Sequence, residues 1–280
     1  MRKYGLIIIA GICLAVLVFG HLHWKNISQA AGVEAREAAA KVKEKEKEER
    51  EALIESLKPE KNKQQPLIDY LHYKSLTQER VIVSLLGSNG TSGTGASKTS
   101  NSWAGRLEKS LRADRDDLER LSFINHGNEG YSTEDLVKGK KIEAVIQDDP
   151  DLIIFENSLI NNHYQSISLE QTQKDIESIM TKLQKELPKA SILILSPNPV
   201  ANGNMENSLG LNYVDYIQAS EQVIKTNKWT YLNSKEEIEK KLSKKNMRLA
   251  DTLTNDNIHP NDQGHYIWFE VLQEYFKLKK

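Results

Sequence analysis

Three regimes of hydrophobic patterning follow one another along the chain. An unbroken apolar run extends from Gly5 to Gly20, preceded by Arg2-Lys3-Tyr4 and closed by His21-Leu22-His23-Trp24-Lys25. A helix from Tyr4 to Trp24 would be about 31 Å long at ~1.5 Å per residue, enough to span a hydrocarbon core of ~30 Å. Tyr4 and Trp24 fall at interfacial positions, and Arg2 with Lys3 predicts a cytoplasmic N-terminus with everything beyond the span outside. The competing reading is a cleaved signal peptide, which needs a small-x-small site that Val18-Phe19-Gly20 supplies poorly. Ile12 before Cys13 is likewise a poor lipoprotein signal.

From Ala31 to Leu57 the pattern changes to Ala, Glu, Lys and Arg, including Lys41-Val42-Lys43-Glu44-Lys45-Glu46-Lys47-Glu48-Glu49-Arg50-Glu51. These are strong helix formers with mixed charges at three- and four-residue spacing, predicting an exposed helix of about 40 Å. No continuous apolar face runs along it, so it reads as a solvated stalk, with weak coiled-coil pairing through Val33, Val42, Leu53 and Leu57 as the alternative. Pro59 and the polar run to Pro66 end it. The expected organisation is a transmembrane anchor over 1–25, a charged helical stalk or linker over 26–66, and a globular domain over 67–280.

In the third regime short apolar runs alternate with amphipathic stretches. The runs Val81–Leu86, Leu121–Asn125, Asp151–Phe155, Ser191–Ser196 and Trp229–Leu232 predict strands. The stretches Trp103–Leu111, Thr133–Ile146, Leu169–Leu187, Tyr213–Thr226 and His265–Leu278 predict helices. Continuous β-branched runs between helices indicate a parallel sheet covered on both faces, hence a three-layer, doubly wound α/β domain. Ligands of such sheets bind at the carboxyl ends of the strands, which directs attention to the residues just after each one.

Composition narrows the chemistry. With Lys+Arg 38 against Asp+Glu 39 and a net charge of -1, the chain lacks the bulk positive charge of a nucleic-acid binder. Its single cysteine, Cys13, excludes an intrachain disulfide and a Cys-rich zinc module. The Gly-rich turn Gly87-Ser88-Asn89-Gly90-Thr91-Ser92-Gly93-Thr94-Gly95-Ala96 lacks the Gly-Lys-Ser/Thr ending of a phosphate-binding loop, and Lys98 is misplaced for one. No cofactor or metal is expected.

Four segments at the expected strand ends and before the last helix carry the remaining chemistry: Gly87–Ala96, Asn125–Thr133, Glu156–Asn162 and Asp256-Asn257-Ile258-His259-Pro260-Asn261-Asp262. An Asp three residues before a His can fix the imidazole tautomer while the other ring nitrogen faces a cleft, or can make a simple turn hydrogen bond. Together and in this order the segments resemble the four blocks of the SGNH (GDSL-type) hydrolase superfamily over about residues 78 to 280. The resemblance implies a flavodoxin-like fold and ester chemistry, with His259 as base and Asp256 as its orienter. It also implies an oxyanion hole built from the Gly130 backbone N–H and the Asn161 side-chain amide, which would otherwise be a turn glycine and a loop cap.

The first block departs from the family pattern Gly-Asp-Ser-x-Thr-x-Gly, since Gly87, Thr91 and Gly93 align so as to put Ser88 at the aspartate and Asn89 at the nucleophile. An amide cannot become an acyl carrier as a hydroxyl can. Ser88 is the adjacent substitute but leaves the strand in the opposite direction, and Thr91 and Ser92 are farther candidates. Asn162 also stands where the family usually has Asp.

Two readings therefore compete. One is a membrane-tethered, extracytoplasmic esterase, deacetylase or acyltransferase acting on an envelope glycan or lipid ester. The other is a catalytically inactive SGNH-fold binding or scaffolding protein. Either way the expected partners are the membrane, through the N-terminal helix, and an ester-bearing small molecule, glycan or lipid. The protein is expected to be a monomer with stalk pairing as a weak addition.

Overall fold

The computed structural model describes residues 2–62 and 65–277; the side chains at positions 2–4, 6, 7 and 10 are outside what is described. The chain divides into two units, residues 1–56 and 57–280.

The first unit belongs to one continuous helix, α1 (Arg2–Leu57), so the apolar and charged regimes share a single element. The strong helix formers between positions 31 and 57 account for its second half. From Gly11 to Leu53 every position is exposed. Among the described residues no helix is long and apolar enough to cross a membrane. The span expected between Tyr4 and Trp24 is not found among them. The interfacial and topological roles expected of Arg2, Lys3 and Tyr4 rest on side chains outside the described residues.

The second unit carries a five-stranded parallel sheet in the order β2-β1-β3-β4-β5. The strands are β1 (Ile82–Gly87), β2 (Ser122–Gly127), β3 (Leu152–Glu156), β4 (Ser191–Leu195) and β5 (Tyr231–Leu232). Alternation along the strands divides the core: Val83, Leu85, Leu152 and Ile154 point to one face, and Leu86, Ile153 and Phe155 to the other. The first face is covered by α2 (Leu67–Thr77), α4 (Trp103–Asp114), α10 (Ser234–Lys244) and α11 (Asp262–Lys277), with Leu71, Trp103, Leu107, Leu242, Trp268 and Leu272 in one apolar cluster. The second is covered by α5 (Thr133–Lys138), α6 (Lys141–Asp148), α8 (Leu169–Glu186) and α9 (Tyr213–Asn227), with Leu136, Val145, Ile176, Ile179, Leu183 and Tyr216 in the other. This is the expected three-layer, doubly wound arrangement.

The single helix predicted over 133–146 is two. Gly139 follows α5 and Lys140 adopts a left-handed conformation, φ 57°, so the axis turns before α6 begins. Leu278, the predicted end of the last helix, lies outside the described residues.

Candidate active site

In a 2-1-3-4-5 sheet the connections diverge between β1 and β3, opening a crevice at the carboxyl ends of those two strands. Two short helices start there, α3 (Asn89–Ser92) after β1 and α7 (Leu159–Tyr164) after β3. Close approach at the β2 end is secured by Gly127, where a Cβ would lie 2.3 Å from the Ser92 backbone nitrogen.

The two loops are joined from beneath by Glu156, the last residue of β3. Its Oε2 accepts hydrogen bonds from Ser88 N (2.9 Å), Ser88 Oγ (3.2 Å) and Thr91 Oγ1 (3.1 Å), and its Oε1 from Ser158 N (2.9 Å). Burial drives this carboxyl above the usual carboxylate range, against those hydrogen bonds. Glu156 stood inside a quoted sequence block, yet nothing in the sequence marked its role, because three of its four donors come from a loop far away in the chain.

Above this clasp the side chain of Asn89 is held by three groups. Its Oδ1 accepts from Gly130 N at 2.6 Å and from Asn161 Nδ2 at 3.2 Å, and its Nδ2 lies 2.6 Å from His259 Nε2. The amide orientation follows from its partners, since a backbone N–H and a side-chain NH2 can only donate. Nδ2 then donates to His259 Nε2, which places the imidazole proton on Nδ1. That nitrogen faces Asp256 Oδ2 at 2.6 Å. Asp256 Oδ1 accepts from Thr254 Oγ1, Ile258 N and His259 N at 2.6, 2.8 and 3.0 Å. Partial burial works to raise the Asp256 pKa, but the bonds from His259, Thr254 and the backbone prevail and hold it well below the usual carboxylate range. Gly130 has φ 78°, a conformation that turns its N–H toward Asn89 and that glycine adopts readily.

The structure thus brings together Asn89, Gly130, Asn161, Asp256 and His259. It does not bring Ser88 to His259. Ser88 is buried with its hydroxyl turned down onto Glu156, the direction that alternation at the end of a strand imposes. Thr91 points to the same carboxylate, while Ser92 Oγ bonds Asn89 O at 2.9 Å and contacts Thr94 Oγ1. Asn162 is fully buried and well matched to its site. Its Oδ1 accepts from Thr133 N, and its Nδ2 donates to Thr133 Oγ1 and Thr172 Oγ1, a pairing in which a carboxylate could not supply the two donated bonds. Among the described residues no group of three or more His, Cys, Asp or Glu is placed to hold a metal ion.

Chemically, the arrangement offers a neutral imidazole with a fixed tautomer and two N–H donors converging on one oxygen. That oxygen belongs to the protein itself.

No curated protein matches the chain. Among solved structures, a two-domain esterase active on acetylated mannans superposes with a TM-score of 0.60 at 18% identity over 75% of this chain and 52% of the esterase, so this chain spans about half that protein's length. An acetyl-xylooligosaccharide esterase from Geobacillus stearothermophilus, in mutant form, superposes at 0.57 with 16% identity, covering 71% of this chain and 95% of that one. An alpha/beta hydrolase from the metagenome of Lake Arreo, Spain, gives 0.57 at 17% identity over 70% and 94%. At these identities the likeness is one of fold. The GDSL-like lipase/acylhydrolase family model matches residues 85–267, from within β1 to within α11, and the chain belongs to that family.

Proposed function

We propose that this protein is a membrane-tethered, extracytoplasmic GDSL-family protein that holds an ester-bearing envelope glycan or lipid at the β1/β3 crevice, with the covalent route of the family closed. The observation that carries this reading is the engagement of the Asn89 amide with His259, Gly130 and Asn161 at once. Asn89 stands where the family places its serine, Gly130 and Asn161 are the oxyanion donors, and His259 is the base oriented by Asp256. The side chain at 89 provides no hydroxyl to form an acyl-enzyme. Support for an acetylated glycan comes from the two fold neighbours named for acetylated mannans and acetyl-xylooligosaccharides, as an analogy of fold. Support for tethering comes from the apolar run at 5–20 after Arg2 and Lys3.

The test is reaction of the full chain and its Asn89→Ser variant with a fluorophosphonate and with a small aryl acetate. The natural protein should stay unlabelled, and the variant should be labelled at position 89 and cleave the ester at least ~100-fold faster, the usual weight of a general base acting on a competent nucleophile. Stoichiometric labelling of the natural protein would overturn the reading.

A second reading, slow hydrolysis by water without an acyl-enzyme, is favoured by the intact His259–Asp256 pair, whose Nε2 is an acceptor. It requires the Asn89 amide to swing aside. Ester cleavage that resists the fluorophosphonate and disappears in His259→Ala would establish it.

A further inference from the structure

The Asn89 side chain is placed as a bound acyl substrate would be. Its carbonyl oxygen sits on both N–H donors, and its nitrogen, in the position of a leaving group, lies 2.6 Å from an imidazole backed by a carboxylate. We propose that Asn89 is a self-modification site, its amide hydrolysed to aspartate by the machinery that surrounds it. This rests on the reading of Gly130 and Asn161 as oxyanion donors and His259 as base.

The balance is that of amide hydrolysis. Once a solvent water displaces the Asn89 Nδ2–H from His259 Nε2, that water gives up a proton to Nε2 as its oxygen lone pair attacks Cγ of Asn89, and the carbonyl pair moves onto Oδ1, where the Gly130 N–H and the Asn161 amide stabilise it. When the carbonyl re-forms, the C–N bond breaks, the nitrogen takes the proton held by His259, and ammonia leaves. The carboxylic acid then releases its proton, giving carboxylate and ammonium. Water has access, since Asn89 is half-buried and the space beside Gly130 is open, with no atom within 4 Å of where its Cβ would be.

The product fits the site better than the starting amide does. One carboxylate oxygen would stay on the two donors, which favour negative charge, and the other would face His259. The neutral Asn89 oxygen already occupies the two donors, and an aspartate oxygen there would hold them with charge, so that the carbonyl of an ester would displace it less readily. Modification would thus weaken ester binding in the crevice permanently, which makes residue 89 a one-way regulator of ligand binding.

Asn89-Gly90 invites a rival, the uncatalysed route in which the Gly90 nitrogen attacks Cγ to give a cyclic imide that opens to both aspartate and isoaspartate. Asn89 begins helix α3, and helical backbone angles keep the following nitrogen away from the side-chain carbon. The two routes leave different products.

The experiment is peptide mapping by mass spectrometry of the full chain, fresh and after extended incubation, with isoaspartate scored separately, beside His259→Ala and Asn161→Ala. The expected result is accumulation of aspartate at 89 without isoaspartate, slowed at least ~100-fold in His259→Ala, the weight of the lost acid–base group. An amide that persists in the natural protein would overturn the proposal, as would equal conversion in His259→Ala or a mixture containing isoaspartate. The isoaspartate measurement needs only the natural protein, so misfolding of a variant does not spoil it. Fluorophosphonate labelling of Asn89→Ser separates the two levels: labelling with a persistent natural amide sinks self-modification alone, whereas absence of both labelling and conversion sinks the site reading as well.

Discussion

Two carboxylates bracket strand β3, and they are held in opposite ways. Asp151, just before the strand, takes Lys74 Nζ at 3.1 Å and Gln78 Nε2 at 2.6 Å on one oxygen and Ile82 N at 3.0 Å on the other. It borders a concavity of about 740 Å³ lined in part by Lys74, Gln78, Asp148 and Pro188. Glu156, at the far end, is sealed from solvent and held by neutral donors. A carboxylate with a cation near water costs little and simply fastens the strand, whereas a sealed one without a cation is expensive. The expensive one is found under the loops that carry Asn89 and Asn161. The comparison also shows that concave volume is a poor guide here, because the roomier amino end lacks the converging N–H donors and the carboxylate-paired imidazole of the carboxyl end.

The largest expected effect separates the two ends directly. Glu156→Ala should destabilise the domain by about 3–5 kcal/mol, because two backbone N–H groups and two hydroxyls lose their acceptor, and Asp151→Ala by about 2–3 kcal/mol. Urea unfolding measures both. In an Asn89→Ser background only the Glu156 change should also suppress fluorophosphonate labelling, and suppression by both would dissolve the distinction.

A somewhat smaller effect tests the carboxyl end by acid. His265 accepts from Trp103 N through Nδ1 and faces Thr94 O through Nε2, and burial depresses its pKa to about 4. A histidine held neutral in the fold binds fewer protons than in the unfolded chain. Its stabilising contribution is therefore complete above about pH 6.5 and drains away toward pH 4. The fall from 6.5 to about 4 corresponds to about 3 kcal/mol, and His265→Gln should flatten that part of the stability profile.

Glu156→Gln should cost about 1–3 kcal/mol, since one oxygen becomes a donor facing donors. It also carries a sign. Because the folded pKa of Glu156 is raised, the folded state holds the proton longer, and stability falls as pH rises above the ordinary carboxylate range. The Gln variant should lose that slope, as seen by comparing unfolding free energies at mildly acidic and neutral pH. Smallest of all, Gln78→Ala removes the bonds that an exposed side chain at the amino end donates to Asp151 Oδ1 and Arg80 O, and should cost about 0.5–1 kcal/mol while leaving labelling of the Asn89→Ser protein unchanged.

The sheet was legible because a strand covered on both faces must be apolar throughout, and all five runs begin and end within about two residues of the observed strands. The fifth shrank to Tyr231–Leu232. The split between α5 and α6 lies at Gly139, inside the single helical stretch that the hydrophobic pattern predicts over 133–146. Helix α10 went unnoticed although Asn233 caps it through Glu236 N and Ile238 and Leu242 repeat at helical spacing. At the site, Asn89, Gly130, Asn161, Asp256 and His259 were visible through the order of the four blocks. Glu156 and the hydrogen bonds of Asn162 were not, because their partners come from separate loops and helices that only the fold makes neighbours.

The Glu156 clasp has a kinetic side. Ser88 and Ser158 belong to loops remote in sequence, yet their amide hydrogens bond to the same carboxylate. Neither loop can lift alone without stranding that carboxylate against unpaired donors, so the two should open together. In native-state hydrogen exchange the amides of Ser88 and Ser158 should then share one opening free energy, a cooperative unit defined by a side chain rather than by a helix or a strand.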